Sequence, residues 1–224
     1  MMKMNLPAAA PLALLAAGAA LSSCVKLPES RPMAPTYYHL EAMEGLPAGG
    51  DDDLLEGGWF HVQRVELAPY LDDSRLVARR NPNEAEFFDQ HRWSEDLEDS
   101  LARVLGKNLS VLFGTLNYST HPHVKRATHD FEIGLAVERF EWIDGDQVIL
   151  SGSWRLFREG KQIHVAPLQE TVALAAASGE DQSGKNGKRP PKLIPQVKAL
   201  GQAMRNASER IAAQIIRTLA ENEE

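Results

Sequence analysis

Seven histidines and several clustered carboxylates are the side chains from which this 224-residue chain could build chemistry. His121, His123 and His129 fall close together, and the alternate spacing of His121 and His123 in an extended segment could aim both rings the same way. A zinc-type site needs a closed set of nitrogen, sulfur or carboxylate ligands, and only Asp130 stands near enough in sequence to add one, so a solvated polar loop is the simpler reading and no metal is assigned. Acyl-transfer chemistry needs a positioned nucleophile, base and orienter. No Gly-x-Ser-x-Gly elbow occurs, and Ser151-Gly152-Ser153 reads as the polar face of a strand. Glu95, Asp96, Glu98 and Asp99 could suggest acid and base work, but at a helix start they complement the dipole and face water. No glycine loop with lysine is present to cradle a nucleotide's phosphates, so no ATP-hydrolysing role, no cofactor and no catalytic residue are assigned. His91-Arg92-Trp93 and Tyr70-Leu71 remain: Arg92, Tyr70 and Leu71 are candidate contacts for a partner protein, each with a packing or ion-pairing role as its alternative.

Cys24 is the only cysteine and therefore makes no internal disulfide. It stands where an uncharged Ala- and Leu-rich stretch, Leu6 to Ala20, stops, and Leu21-Ser22-Ser23-Cys24 resembles a bacterial lipobox. A stretch of that length suits an export signal better than a span, which needs about 20 apolar residues. Nothing later in the chain is apolar enough to cross a bilayer. Residues 1–23 thus read as a lipoprotein signal peptide and Cys24 as the site of lipid attachment. One acyl chain holds marginally, at about 0.8 kcal/mol per buried CH2, whereas several together hold essentially permanently. Val25 in place of an aspartate after the cysteine is compatible with outer-membrane delivery. Residues 24–36 carry Pro28, Pro32 and Pro35 and read as an extended tether.

The elements that must carry a functional surface lie in residues 37–224, read as one domain. Tyr37-Tyr38-His39-Leu40 is a first strand. Trp59 to Leu67 alternates in two registers, which predicts one strand bulged near Gln63 or Arg64. Arg75 to Arg80 and Ala85 to Phe88 flank a turn at Asn81-Pro82-Asn83. Trp93, Leu97, Leu101, Val104, Leu105, Leu109 and Leu112 recur at helical spacing, with Ser94 as the expected cap and Gly114 as the stop. Between Asp130 and Ala175, alternating runs separated by Asp144-Gly145 and Glu159-Gly160 predict an antiparallel meander. Gly179 to Lys192 is a loop by composition, and a second amphipathic helix covers Val197 to Leu219. The fold class is α+β: an antiparallel sheet, meander plus N-terminal strands, packed against two helices.

Hydrophobic residues make up 43% of the chain and charged ones 25%, which supports a folded core. Twenty-four Lys and Arg against 31 Asp and Glu give a net charge of −7, which argues against nucleic acid as a partner.

The ordered series Val65-Glu66-Leu67-Ala68-Pro69-Tyr70-Leu71-Asp72, Leu76-Val77-Ala78-Arg79, His91-Arg92-Trp93-Ser94-Glu95-Asp96-Leu97 and Arg103-Val104-Leu105 with Asn108-Leu109 resembles the ABC-type transport auxiliary lipoproteins, the PqiC-like lipoproteins. The resemblance runs from Tyr37-Tyr38-His39-Leu40 through Phe140 and Trp154 to Ala207–Ile216. Ser94-Glu95-Asp96-Leu97 departs from the Ala-Glu-Pro-Leu-like string the family often carries, and the Gly179 to Lys192 loop is longer than usual. The resemblance implies a non-enzymatic outer-membrane lipoprotein facing the periplasm, a docking part for a mammalian-cell-entry (MCE) type protein and an inner-membrane partner in lipid traffic, assembled as a ring of identical subunits. From the residues alone, the alternative is a ligand-binding or enzymatic lipoprotein with a pocket between sheet and helices.

Overall fold

The computed structural model describes residues 34–45, 55, 57–123, 129–143, 147–174 and 193–221. They belong to one unit, Met33–Glu224. In chain order the elements are β1 (Thr36–Tyr38), β2 (Phe60–Val62), β3 (Glu66–Leu67), β4 (Arg75–Asn81), β5 (Glu84–Trp93), α1 (Leu97–Phe113), β6 (Tyr118–Thr120), β7 (Phe131–Ile143), β8 (Gln147–Arg158), β9 (Lys161–Ala173) and α2 (Ile194–Glu221).

The meander β7–β8–β9 is antiparallel throughout, as its alternation requires. Glu159 (φ 51°) and Gly160 (φ 75°) turn the chain between β8 and β9 in the left-handed region, which suits the twist of a two-residue hairpin. The turn at Asp144-Gly145 lies outside the described residues. On its other flank β7 pairs parallel with β2, β3 and β4 in succession, opposite Phe131, Ala136 and Trp142. One 13-residue strand is thereby lined end to end by three short ones. The sheet is therefore mixed rather than purely antiparallel. Only its tight hairpins, β4–β5 and the meander, are forced to run antiparallel; the remaining short strands reach their neighbours by long connections.

The expected bulged strand from Trp59 to Leu67 is two short strands with the break at 63–65. The register against β7 changes there by one residue, since Phe60 faces Phe131 while Glu66 faces Ala136. A second irregularity lies in β7 between Val137 and Arg139. It keeps Ile133, Leu135, Val137, Phe140 and Trp142 in the core although the alternation skips a beat. Gly152 sits opposite, where a Cβ would stand 1.9 Å from the Ala136 carbonyl oxygen, so this backbone approach demands glycine.

Both helices use their apolar stripes as the sequence predicts. In α1, Leu101, Val104, Leu105 and Leu109 are fully buried; in α2, Ala203, Met204, Ile211 and Ile215 are. The buried Asn108 amide links them, donating to Ser208 Oγ (3.0 Å) and accepting from the Met43 N–H (2.7 Å). Trp154 in β8 donates its indole N–H to Gln214 of α2 (3.0 Å). The start of α1 differs from the expectation. Trp93 is the last residue of β5, the N-cap is Asp96 without a side-chain cap bond, and Glu98 and Asp99 occupy the first turn. Ser94 instead donates its backbone N–H to Tyr38, extending the β1–β5 ladder past Trp93. Gly114 (φ 72°) ends the helix as predicted, its N–H reaching the Ser110 and Val111 carbonyls.

Candidate functional site

Tyr70 and Leu71 lie on a short 3-10 turn, Pro69–Leu71, that follows β3. Leu71 is 3% exposed and belongs to the core, so its side chain offers no surface in this chain. Tyr70 is half-buried, and its hydroxyl lies 3.1 Å from both the Glu138 carbonyl and the Glu141 carboxylate. Burial, reinforced by the Glu141 charge, pushes its phenol up to about 12. Arg92 spends its guanidinium on Ser74 Oγ (3.2 Å) and the Asp89 carbonyl (3.3 Å). It does not take up Asp73, whose carboxylate is held by Arg75 at 2.7 Å and sits below the usual range because of that bond. Cys24 lies outside the described residues.

Tyr70 leads to a feature that sequence reasoning missed. The Glu141 carboxylate is completely buried, although it lies on the sheet face turned from the helices. Arg79 of β4 grips it with two bonds (2.6 and 3.2 Å), Arg139 adds a third (2.9 Å) and Tyr70 a fourth. Two guanidiniums on one carboxylate compensate its loss of water, and this ties β4, β7 and the 3-10 turn together. In sequence, Arg139-Phe140-Glu141 reads only as an alternating strand; the parallel approach of Arg79 is what makes the cluster.

Among the described residues only His61 and His129 of the histidines come together, their ring centroids 5.1 Å apart. His121 stands 3.7 Å from Asp99, and His129 stands 3.2 Å from Ser119 Oγ, itself 2.8 Å from His61. Among the described residues no group of three or more His, Cys, Asp and Glu is placed to hold a metal ion. His91 is buried and its Nδ1 lies 2.9 Å from the Tyr38 hydroxyl, which also accepts the Leu193 N–H (3.0 Å). Burial pulls the imidazole below its ordinary value, so the neutral ring can accept a hydrogen bond from the Tyr38 hydroxyl at Nδ1. The pair fastens β1 and β5 to the first residue before α2. Ser151, Gly152 and Ser153 lie within β8, half-buried, and among the described residues no histidine is paired to either serine.

Between β1 and the first half of α2 runs a groove of about 340 Å³ lined by Tyr37, Ile194, Val197, Lys198, Gly201 and Arg205 among others. Tyr37 is 61% exposed there. In sequence, Tyr37 is read only as part of the first strand and Val197 to Arg205 only as part of the second helix; nothing there marks a groove. No helix among the described residues is long and apolar enough to cross a membrane.

An uncharacterized protein of known crystal structure shares the fold with a TM-score of 0.61 at 19% identity, over 81% of this chain and 99% of its own. Protein XCC0632 from Xanthomonas campestris, a DUF330 protein, does so with a TM-score of 0.59 at 12% identity, over 85% and 97%. No protein of curated function matches the sequence. Residues 38–215 match the family of the ABC-type transport auxiliary lipoprotein component, from the end of β1 to the last turns of α2 and across every buried cluster above. The chain belongs to the ABC-type transport auxiliary lipoprotein family.

Proposed function

We propose that this chain is a non-enzymatic outer-membrane lipoprotein, anchored through Cys24 and facing the periplasm, that serves as a docking component of an MCE-type intermembrane lipid transport system. The family match over residues 38–215 carries this reading. The lipobox-like Leu21-Ser22-Ser23-Cys24 supports the anchor, and Val25 after it supports the outer membrane as destination. Residues 1–23 are the signal, 24–36 the tether and 37–224 the body. The twelve residues from Val25 to Thr36, at about 3.3 Å each, give the body a reach of roughly 40 Å from the bilayer.

Mechanistically, the acyl chains fix the protein to the membrane, the tether sets its reach, and the body binds an MCE-type periplasmic protein that an inner-membrane partner joins. The body acts as a homo-oligomer. A binding part needs a firm surface, and three buried polar clusters brace this one: Glu141 with two arginines, Asn108 with Ser208, and His91 with Tyr38.

Cross-linking in intact cells followed by mass identification tests the proposal. Capture of an MCE-type protein is the expected result, and capture of other proteins alone overturns it. The groove beside β1 is the observation that favours a second reading, a solute-binding lipoprotein. A lipid or solute retained in it through purification would favour that reading over docking. Arg92→Ala and Tyr70→Ala place their residues: loss of the cross-link from a folded variant marks a contact, and unfolding marks an architectural role.

A further inference from the structure

We propose that the groove between β1 and the first half of α2 docks an extended, acidic segment of the partner protein, which adds to the sheet as a strand on the free edge of β1. The proposal rests on the docking reading and names its surface. Three independent observations point to that occupant.

The first is the strand edge. Among the described residues β1 pairs only with β5, in parallel. The Tyr38 carbonyl accepts the Ser94 N–H at 2.7 Å, so Tyr38 faces β5. In a parallel pair successive residues turn their polar groups to opposite sides, which leaves the Tyr37 N–H and C=O directed away from β5. An unpaired edge of this kind is a template for another strand.

The second is charge. Arg64, Arg75, Arg79, Arg80, Arg103, Arg139, Arg155 and Arg210 each hold a carboxylate. Among the described residues Lys198 and Arg205, which line the groove, hold none, as Arg92, Arg158 and Arg217 elsewhere do not, and the one acid lining the groove, Glu41, lies 4.0 Å from His39. In sequence, residues 182–208 carry Lys185, Lys188, Arg189, Lys192, Lys198 and Arg205 and no Asp or Glu, in a chain of net charge −7. Lys198 and Arg205 are seven residues apart, roughly 10 Å along a helix, and a strand with carboxylates at alternate positions meets both within about five residues.

The third is Gly201. A glycine inside a helix costs about 1 kcal/mol relative to alanine. Among the described residues a Cβ at Gly201 would meet nothing nearer than the Glu41 carbonyl oxygen, 3.9 Å away, so their packing does not require glycine. Its missing side chain keeps the groove open between Lys198 and Arg205. A lipid surface would match the charge but has no use for the strand edge.

The test uses the full chain purified in detergent and the acetylated, amidated peptide Glu-Val-Glu-Val-Glu-Val-Glu. Its controls are the Lys-for-Glu peptide and the Glu peptide with proline at its centre. The acidic peptide is expected to bind and to slow hydrogen exchange at the Tyr37 amide, while both controls fail to do so. The Lys198→Glu/Arg205→Glu variant is expected to weaken binding at least tenfold, and Gly201→Met to block it, with circular dichroism confirming that both fold. Undiminished binding by the charge-reversed variant overturns the proposal. So does Tyr37 protection that rises with protein concentration in the absence of peptide, which would assign the edge to a second copy. Protection by phosphatidylglycerol vesicles and not by the peptide assigns the groove to a lipid surface and equally overturns it. The underlying docking reading fails separately, if the wild type cross-links no MCE-type protein in cells. It survives without this site if the charge-reversed variant cross-links as well as the wild type.

Discussion

Removing the Glu141 carboxylate would leave Arg79 and Arg139 facing each other with their shared counter-charge gone. Breaking a buried pair on one side costs about 3 to 5 kcal/mol, so Glu141→Ala should lower stability in urea unfolding by roughly 3 kcal/mol. Tyr70→Phe, which deletes one neutral donor, should cost about 1 kcal/mol. His91 works in the opposite sense. Its folded-state pKa lies below the ordinary 6.5 because it is buried, so the unfolded chain takes up the proton first as pH falls. Stability is therefore complete above pH 6.5 and declines as pH drops through that value toward the lower folded-state pKa. Protonation at Nδ1 also takes away the acceptor of the Tyr38 hydroxyl. Urea titrations at pH 7.5 and 5.5 should show a loss in the wild type that His91→Gln lacks. At this scale the sequence was only half legible. Tyr70 meets a strand that arrives from 71 residues away, at Glu141, which its own segment does not announce, whereas Arg92 is held by Ser74 and Asp89, 18 and 3 residues off.

Periodicity marked the meander strands and both helices, while the ten-residue β5 was legible only as Ala85 to Phe88. β7, β8, β9, α1 and α2 alternate or repeat over enough residues that burial on one face dictates their type, and Gly114 and Glu159-Gly160 end them where backbone chirality demands. The three-residue β6 (Tyr118–Thr120) and the parallel pairings escaped, because a run such as Phe60–Val62, legible as a strand, carries no information about which neighbour it joins. The start of α1 was misplaced because Trp93 falls in phase with the helical stripe while ending a strand. A sequence can satisfy both periods for one residue, and the backbone bond from Ser94 to Tyr38 decides it. The Val137/Arg139 irregularity gives the sharpest test at this level. Gly152→Ala would force a methyl into the Ala136 backbone and should cost about 3 kcal/mol or more, the upper range for overpacking. Gly106→Ala meets only the Thr120 methyl and the Tyr118 ring, side-chain atoms that can shift, and should cost less. Thermal unfolding of the two variants compares them; equal losses would mean that β7 relaxes around the intruding methyl.

As a whole, the molecule couples a rigid body of a transport auxiliary family to a lipobox-like leader, and the account of its function depends on that coupling. A chain of net charge −7 has little affinity of its own for an anionic membrane, so on the proposed reading residence there comes from acyl chains on Cys24. Fractionation of cells expressing the wild type and Cys24→Ala, with mass spectrometry of the N-terminal peptide, addresses this most directly. The wild type should sediment with the outer membrane and carry a diacylglyceryl thioether on Cys24, while the variant should be folded and released as a soluble protein. A variant that stays on the membrane, or a native wild type whose cysteine is unmodified, would contradict the account.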